Sequence, residues 1–211
     1  MSNHQATEQM LGYLYQIRYA LALLLKNDNP DYQISIEKFD DVAFDKDGQP
    51  VQLIQLKHHI KQKGNLTDSS ADLWRTLKVW IDSLAQKPEL LDSTEFLIIT
   101  TAIAPKDSAA GYLRQNDRDP NIAYTKLKDV CKQSQNTAHQ KYYDAFLSAD
   151  QLTVKKFIKI IYVFLTIFLY LLKCPQSFIL SALRAFCFCG KPRISRSIFL
   201  YFRYQAWLKS W

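Results

Sequence analysis

The sequence predicts an α/β fold, in which a mixed sheet with a β-hairpin at its core is flanked by helices in an α/β sandwich. Two runs of alternating apolar and polar residues, 32–44 and 51–59, are joined by an Asp-Gly turn, which predicts the hairpin. Amphipathic helical patterns precede and follow these runs, and residues 95–101 form a short apolar run typical of a buried strand. A chain of 211 residues is long enough to bury one core of this kind.

The first helix is predicted over residues 7–26, because apolar side chains recur there at helical spacing. This stripe comprises Met10, Leu14, Ile17, Leu21, Leu24 and Leu25. Tyr15 and Gln16 have two open interpretations. They are either a packing residue and a solvated amide, or supporting residues beside a functional site.

The hairpin is predicted to bring several polar side chains together. Alternation puts Gln55 and Lys57 on one face of the second strand. The turn returns that face to Asp40 or Asp41, with Glu37 within reach of the same area. A one-residue register, which the sequence does not fix, decides which aspartate points inward.

This combination of side chains suits a metal-dependent phosphodiesterase. Mg²⁺ prefers oxygen ligands and keeps several of its waters, so one or two carboxylates hold it. The bound metal activates a water and stabilises the charge on the scissile phosphate. Lys57 would orient that water or neutralise the phosphate. The alternative is an ordinary exposed hairpin whose charged side chains face solvent.

Three motifs carry a resemblance to a known superfamily. They are Gly-Tyr-Leu-Tyr-Gln at 12–16, Glu-Lys-Phe-Asp-Asp-Val at 37–42 and Gln-Leu-Lys-His-His at 55–59. In this order they resemble a branch of the PD-(D/E)XK nucleases, namely the double-stranded-DNA endonuclease domain of bacterial cyclic-oligonucleotide defence effectors. Within that branch the chain is similar to the small nuclease-like subunit of ABC-three-component conflict systems. The resemblance covers about residues 6–150.

The resemblance implies a restriction-endonuclease-like fold and a role for each motif residue. Asp41 would be the metal-binding acid and Lys57 the motif lysine, with Asp40 in support. Gln55 stands where the superfamily more often has Asp or Glu, which removes one carboxylate from the site. Glu37 would be an accessory acid and a second metal ligand. The implied cofactor is Mg²⁺ or Mn²⁺.

The function implied by the resemblance is metal-dependent hydrolysis of double-stranded DNA in bacterial anti-phage defence. The implied partners are double-stranded DNA, an ABC-type ATPase subunit and further copies of the chain. In the alternative interpretation the nuclease fold is catalytically degenerate, and the protein binds DNA or scaffolds the ATPase. The chain contains no Gly-rich phosphate-binding loop, so it is not predicted to bind ATP itself.

Basic residues follow the second strand and would contact the DNA backbone. His58, Lys61 and Lys63 concentrate positive charge beside the predicted site. A solvated loop is the alternative interpretation of these residues. The adjacent histidines at 58 and 59 do not form a metal pair, because neighbouring strand residues point to opposite faces.

The remaining elements follow from capping and periodicity. Asp68, Ser69 and Ser70 are predicted to cap a helix over residues 71–86, whose Trp74 and Trp80 are interpreted as core residues rather than base-stacking residues. A strand over 95–101 then follows. Three further helices complete this part, over residues 108–115, 121–134 and 139–147.

Composition changes at about residue 153, which predicts a domain over residues 1–152 and a separate tail over 153–211. The net charge of +7 comes from the end of the chain, since residues 151–211 hold 10 Lys and Arg and no acid. The apolar run 157–172 has three interpretations: a membrane anchor, a helix buried against a partner, or the product of a late frameshift. The frameshift interpretation predicts poor packing beyond residue 153.

The compartment is predicted to be the cytoplasm. No cleavable signal peptide is recognised at the start of the chain, where the first apolar run is amphipathic. The 4 cysteines do not indicate a disulfide framework in a chain of this length, so reduced thiols are expected.

Overall fold

The computed structural model of the protein describes residues 3–27, 31–57, 64–116 and 118–165. Seven α-helices and five strands alternate within these residues. In chain order they are α1 (Asn3–Lys26), β1 (Gln33–Ile36), β2 (Val42–Lys46), β3 (Gln49–Lys57), α2 (Ala71–Gln86), α3 (Leu90–Ser93), β4 (Glu95–Thr100), α4 (Ala109–Tyr112), α5 (Pro120–Gln133), α6 (Gln140–Ser148), α7 (Gln151–Ile160) and β5 (Ile161–Leu165).

The five strands form one mixed sheet in the order β1-β2-β3-β4-β5. The pairs β1–β2 and β2–β3 are antiparallel, whereas β3–β4 and β4–β5 are parallel. Helices cross between the parallel strands, as a parallel connection requires. The predicted α/β fold with a mixed sheet flanked by helices is therefore confirmed.

The predicted hairpin turn is also confirmed. Asp47 and Gly48 connect β2 to β3 and both have positive φ, at 52° and 77°. A two-residue turn of this kind matches the twist of the strands it joins, and Gly adopts positive φ without a steric penalty. Pairing runs from Lys46 opposite Gln49 to Val42 opposite Ile54, with a bulge between Phe44 and Asp45.

The prediction of one continuous strand over residues 32–44 is wrong. The chain reverses between Glu37 and Asp41, so that β1 and β2 pair with each other. Glu37 has a φ of 57°, and its N–H donates to the Asp41 carbonyl over 3.3 Å. Asp40 accepts a hydrogen bond from the Asp41 N–H at 3.0 Å, which closes the turn locally. The alternation of apolar side chains continues on both sides of this break and conceals it in the sequence.

The sheet separates two hydrophobic clusters, because successive side chains of β3 point to opposite faces. Helix α1 covers one face, where Tyr15 and Ala20 pack against Ile54 and Leu56. The opposite face is covered by the helices that follow β3, and its cluster includes Leu53. Both tryptophans of α2 are buried there, which confirms their interpretation as core residues.

Helix α2 begins after Ser70, but its predicted side-chain cap is not formed. The Ser70 side chain makes no capping hydrogen bond. Asp68 instead joins two elements, since its carboxylate accepts from the Ala109 N–H at 2.5 Å and its carbonyl accepts from Trp74 Nε1 at 2.7 Å. The residue predicted as a local cap therefore makes a long-range contact to α4.

Gly111 allows the segment around α4 to pack closely. A Cβ atom at this position would lie 2.1 Å from the Pro105 carbonyl oxygen and 2.6 Å from that of Lys106. Only a residue without a side chain fits there. The close approach holds α4 against the loop that follows β4.

The prediction of poor packing beyond residue 153 is wrong for residues 153–165. Val154, Phe157 and Ile158 of α7 are buried in the larger cluster, and β5 pairs with β4. Arg118 secures this connection, because its guanidinium donates to the carbonyls at the end of α7 and the start of β5, Lys159 at 2.6 Å and Ile161 at 2.7 Å.

The packed fold therefore extends past the predicted domain boundary at residue 152. The part of the apolar run 157–172 that the structure describes is a helix end followed by a strand, not one helix. None of the helices within the described residues is long and apolar enough to cross a membrane. The rest of the predicted tail, residues 166–211, lies outside the described residues.

The buried position of α7 yields a stability prediction. Phe157 packs at centroid distances of 5.1 Å from Phe96 and 6.2 Å from Trp80. Phe157→Ala should lower the free energy of unfolding by about 3–5 kcal/mol, because it removes a buried ring and leaves a cavity. Leu152→Ala on the same helix is the control, since Leu152 is 64% exposed. Denaturant unfolding of the full chain measures both, and equal effects would contradict the packing of α7.

Candidate active site

The candidate site lies at the edge of the sheet where β3 and β4 end. These two strands are parallel and finish together, while β2 runs the opposite way and begins at the same edge. The β1–β2 turn, residues 37–41, therefore stands beside Gln55 and Lys57. The end of β3 is held in place because the Lys57 carbonyl accepts hydrogen bonds from Thr101 N at 3.1 Å and Thr100 Oγ1 at 3.2 Å.

Asp41 is fixed to the central strand. Its Oδ2 accepts a hydrogen bond from the Leu56 N–H at 2.8 Å, and the Gln55 amide adds a second hydrogen bond. Burial nevertheless raises the pKa of Asp41, against the lowering effect of these bonds and of the Lys57 charge, and the Glu37 charge raises it further. The Asp41 carboxylate is therefore fixed in position, but the hydrogen bonds and the Lys57 charge do not offset the cost of its burial.

Asp40 turns away from the strand toward α2. Its Oδ2 accepts from Trp80 Nε1 at 2.6 Å, a bond that ties the β1–β2 turn to the core of the helix. Burial raises the pKa of Asp40 to about 6, and the neighbouring Asp41 charge also raises it. The bonds from Trp80 and from the Asp41 N–H, with the Lys57 charge, oppose this change without cancelling it.

Lys57 is the cation of the group. Burial lowers its pKa, although the charges of Asp41, Asp72 and Asp40 each act in the opposite direction. Arg75 on α2 adds a like charge that lowers the pKa further. Burial thus dominates for the lysine as it does for both aspartates. The site would gain from an additional positive charge beside the carboxylates.

Three side chains of the site could offer oxygen ligands to a cation. Asp41 and Gln55 supply a carboxylate and an amide oxygen on one face, and the exposed Glu37 is near enough for its charge to act on Asp41. Within the described part of the chain, no three His, Cys, Asp or Glu residues are arranged to hold a metal by themselves. One carboxylate and one amide oxygen are a small donor set, so water would have to complete the coordination of any cation held there.

The structure brings together five of the predicted site residues: Glu37, Asp40, Asp41, Gln55 and Lys57. Tyr15 lies elsewhere, since it packs with Leu56 in the cluster on the opposite face of the sheet. Gln16 is the next residue of α1, and its Oε1 is buried without a hydrogen-bond partner. Neither is placed among the residues that act on Asp41.

The predicted DNA-binding residues His58, Lys61 and Lys63 lie outside the described residues. Three other residues near the site were missed by sequence reasoning. Trp80 binds Asp40, and Asp72 and Arg75 act on Lys57. The helical spacing of α2 could have placed Asp72 and Arg75 on a common side, but it gives no indication of what that side faces.

Comparison of the chain with protein-family models, curated proteins and solved structures finds no match.

The raised pKa of Asp40 yields a pH prediction. Its ordinary value is 3.8 and its folded value is about 6, so between these values the folded protein binds the proton more tightly than the unfolded chain. Stability should therefore fall as pH rises through this window. Without divalent cations, the free energy of unfolding of wild type, measured relative to that of Asp40→Asn, should fall by about 2.4 kcal/mol from pH 4 to pH 7.

Denaturant unfolding in EDTA at several pH values measures this difference. Asp92→Asn is the control, because Asp92 is an exposed carboxyl on α3. A wild-type profile parallel to that of Asp40→Asn would show that the Asp40 carboxyl is not held in the buried position described.

Proposed function

We propose that the protein is a metal-dependent endonuclease that cleaves double-stranded DNA and has a restriction-endonuclease-like fold. The observation that carries the proposal is the convergence of Asp41, Gln55 and Lys57 on one face of β3, with Asp41 anchored to the Leu56 N–H. The order of these residues along the chain is that of the superfamily which the sequence resembles. The mixed sheet with flanking helices is compatible with its fold.

Each residue of the group has a defined task in this proposal. Asp41 and Gln55 would hold Mg²⁺ or Mn²⁺, with Glu37 as an accessory acid at the exposed rim. When bound, the cation supplies an activated water and offsets charge on the scissile phosphate. Asp40 orients the turn through Trp80 and adds negative charge beside the cation.

Lys57 lies on the same face of the sheet as the carboxylates of Asp40 and Asp41, and its charge is opposite to theirs. Its ammonium would bind a non-bridging phosphate oxygen or orient the attacking water, since it is the cation that acts on both aspartates. Burial lowers its pKa, which makes release of a proton from Nζ easier than for an exposed lysine. A buried lysine of this kind is suited to acid–base work as well as to charge neutralisation.

The biological setting belongs to the proposal. A role in bacterial anti-phage defence, an ABC-type ATPase partner and self-association are carried by the resemblance, whereas the proposed cytoplasmic location rests on the cysteine usage. Co-purification of the full chain with an ABC-type ATPase from the same organism would test the partnership directly.

A second candidate function is a catalytically degenerate subunit that binds DNA or scaffolds the ATPase. Gln55 favours this candidate, because it supplies a neutral amide where a carboxylate is more usual. The absence of a three-residue metal cluster within the described ranges points the same way. The two candidates differ in whether a divalent cation binds at Asp41.

Cleavage separates the two candidates. Supercoiled plasmid should be cut by the full chain, with its ATPase partner supplied, in Mg²⁺ or Mn²⁺. Asp41→Ala should reduce the rate by about three orders of magnitude or more, because several kcal/mol of charge stabilisation are lost. Lys57→Ala should be similarly slow, and Asp92→Ala should cut normally. Equal rates for wild type and Asp41→Ala would refute the assignment.

Metal binding gives an independent prediction. A cation that binds only the folded state stabilises it by about 2.7 kcal/mol at one hundred times its dissociation constant. Mn²⁺ or Mg²⁺ should therefore raise the Tm of wild type and of Lys57→Ala, but not that of Asp41→Ala. No metal-dependent rise in Tm for wild type, together with retained DNA binding, would favour the degenerate subunit.

A further inference from the structure

Exposed basic side chains lie beside the candidate site on α2 and α6. Arg75 on α2 is exposed and acts electrostatically on Lys57. It also acts on the hydroxyl of Tyr142 at the start of α6 and lowers the pKa of that hydroxyl. The next residue in the group is Lys141, also exposed, whose Nζ lies 5.1 Å from the centroid of the Tyr142 ring. Arg75 therefore acts on both Lys57 and α6.

The two helices are held together rigidly beneath this surface. Trp74, which precedes Arg75, packs edge-on against Tyr143 at 4.8 Å and Phe146 at 5.6 Å between ring centroids. Tyr142 and Tyr143 both belong to the larger core cluster, the one that includes Leu53. The positions of Arg75 and Lys141 relative to each other are therefore set by buried aromatic packing and not by the exposed side chains themselves.

Tyr142 presents its polar end at this surface. Its ring belongs to the core cluster, while the Arg75 guanidinium and the Lys141 ammonium act on its hydroxyl and lower its pKa. The His139 ring is tilted against the Tyr142 ring, with a centroid distance of 5.7 Å. A guanidinium, an ammonium and a hydroxyl, with an imidazole beside them, are the donors that commonly contact phosphate oxygens of nucleic acids.

Two acidic residues lie near this surface, and each has a described interaction of its own. Asp72 acts on Lys57, inside the candidate site. Asp144 on α6 is exposed, and its carboxylate accepts a hydrogen bond from the Gln140 amide at 2.8 Å. Arg75 and Lys141 meet at Tyr142, where their positive charges are concentrated.

We propose that Arg75, Lys141 and Tyr142 form a phosphate-contact surface, here called the α2–α6 surface, that binds the backbone of a DNA duplex next to the scissile phosphate. The identification of the ligand as DNA rests on the proposed function. Arg75 is the residue of this group whose charge acts on Lys57, so a strand whose phosphate reaches Lys57 would pass its next phosphates over Arg75 and Lys141. Such contacts add affinity without sequence preference.

The experiment measures binding and not cleavage. A short fluorescent duplex is titrated with the full chain in EDTA, at salt concentrations from about 50 mM to about 200 mM. The test variant is Arg75→Gln/Lys141→Gln. The charge-matched control is Lys155→Gln/Lys156→Gln, which removes two exposed lysines from α7. Arg75→Lys/Lys141→Arg retains both charges and serves as the conservative variant.

Loss of two phosphate contacts should reduce the slope of log K against log salt by about 1.8. The affinity ratio of wild type to the test variant should then shrink by about tenfold across this salt range. The control and the conservative variant should keep the wild-type slope. Tyr142→Phe should weaken binding without changing the slope, because it removes a neutral donor.

Several results would overturn the inference. These are a wild-type slope for the test variant, an equal loss for the α7 control, no salt-dependent duplex binding by wild type, or equally tight binding of polyglutamate.

Failure of the proposed function would give a different pattern of results. If wild type binds DNA through this surface but never cleaves it, the chemistry fails and the surface stands. If Asp41→Ala abolishes cleavage and the test variant binds normally, only the surface is refuted.

Discussion

The fold and the candidate site both depend on the pleat of the central strand β3. Its alternate side chains belong to two different clusters, so a slip of one residue would bury Gln55 and Lys57 under α1 and expose Ile54 to the other face. Its backbone is paired antiparallel on one side and parallel on the other. The Leu56 N–H, at the last part of this strand, orients Asp41. The register of β3 therefore fixes both the packing of the core and the positions of the reactive side chains.

The charged groups of the site are held in place although burial disfavours their charged forms. Asp40 and Asp41 have raised pKa values and Lys57 has a lowered one, and in each case burial is the largest cause. Groups displaced in this way are frequent at functional sites, although structural ion pairs also produce such displacements. Here Trp80, which donates a hydrogen bond to Asp40, packs against Phe96 in the core, and Phe96 packs against Phe157.

Sequence patterns predicted the parts of the fold that depend on local rules. The Asp47-Gly48 turn, the alternation of β3 and the buried face of α2 all follow from backbone preference and periodicity. The break at residues 37–41 was missed because Glu37 adopts positive φ, which its residue type does not indicate.

Non-local contacts explain the other differences between sequence and structure. The packing of β5 was missed because a change in composition was interpreted as the end of the fold, while strand pairing with β4 depends on contacts far apart in the chain. The orientation of the Asp40 side chain toward α2 was likewise missed, because it depends on a hydrogen bond from Trp80, forty positions later in the chain. The choice of Asp41 as the principal acid came from the resemblance, and the structure places it against Leu56.

The bond between Trp80 and Asp40 gives the molecule an optical property. Indole emission responds to a charge close to the ring, and here the carboxylate accepts a hydrogen bond from the indole nitrogen itself. Trp80 is 1% exposed, so solvent contributes little to changes in its spectrum. Protonation of Asp40, or a cation arriving beside it, would be registered as a change in fluorescence. The protein thus carries an intrinsic reporter of the charge state of its own site.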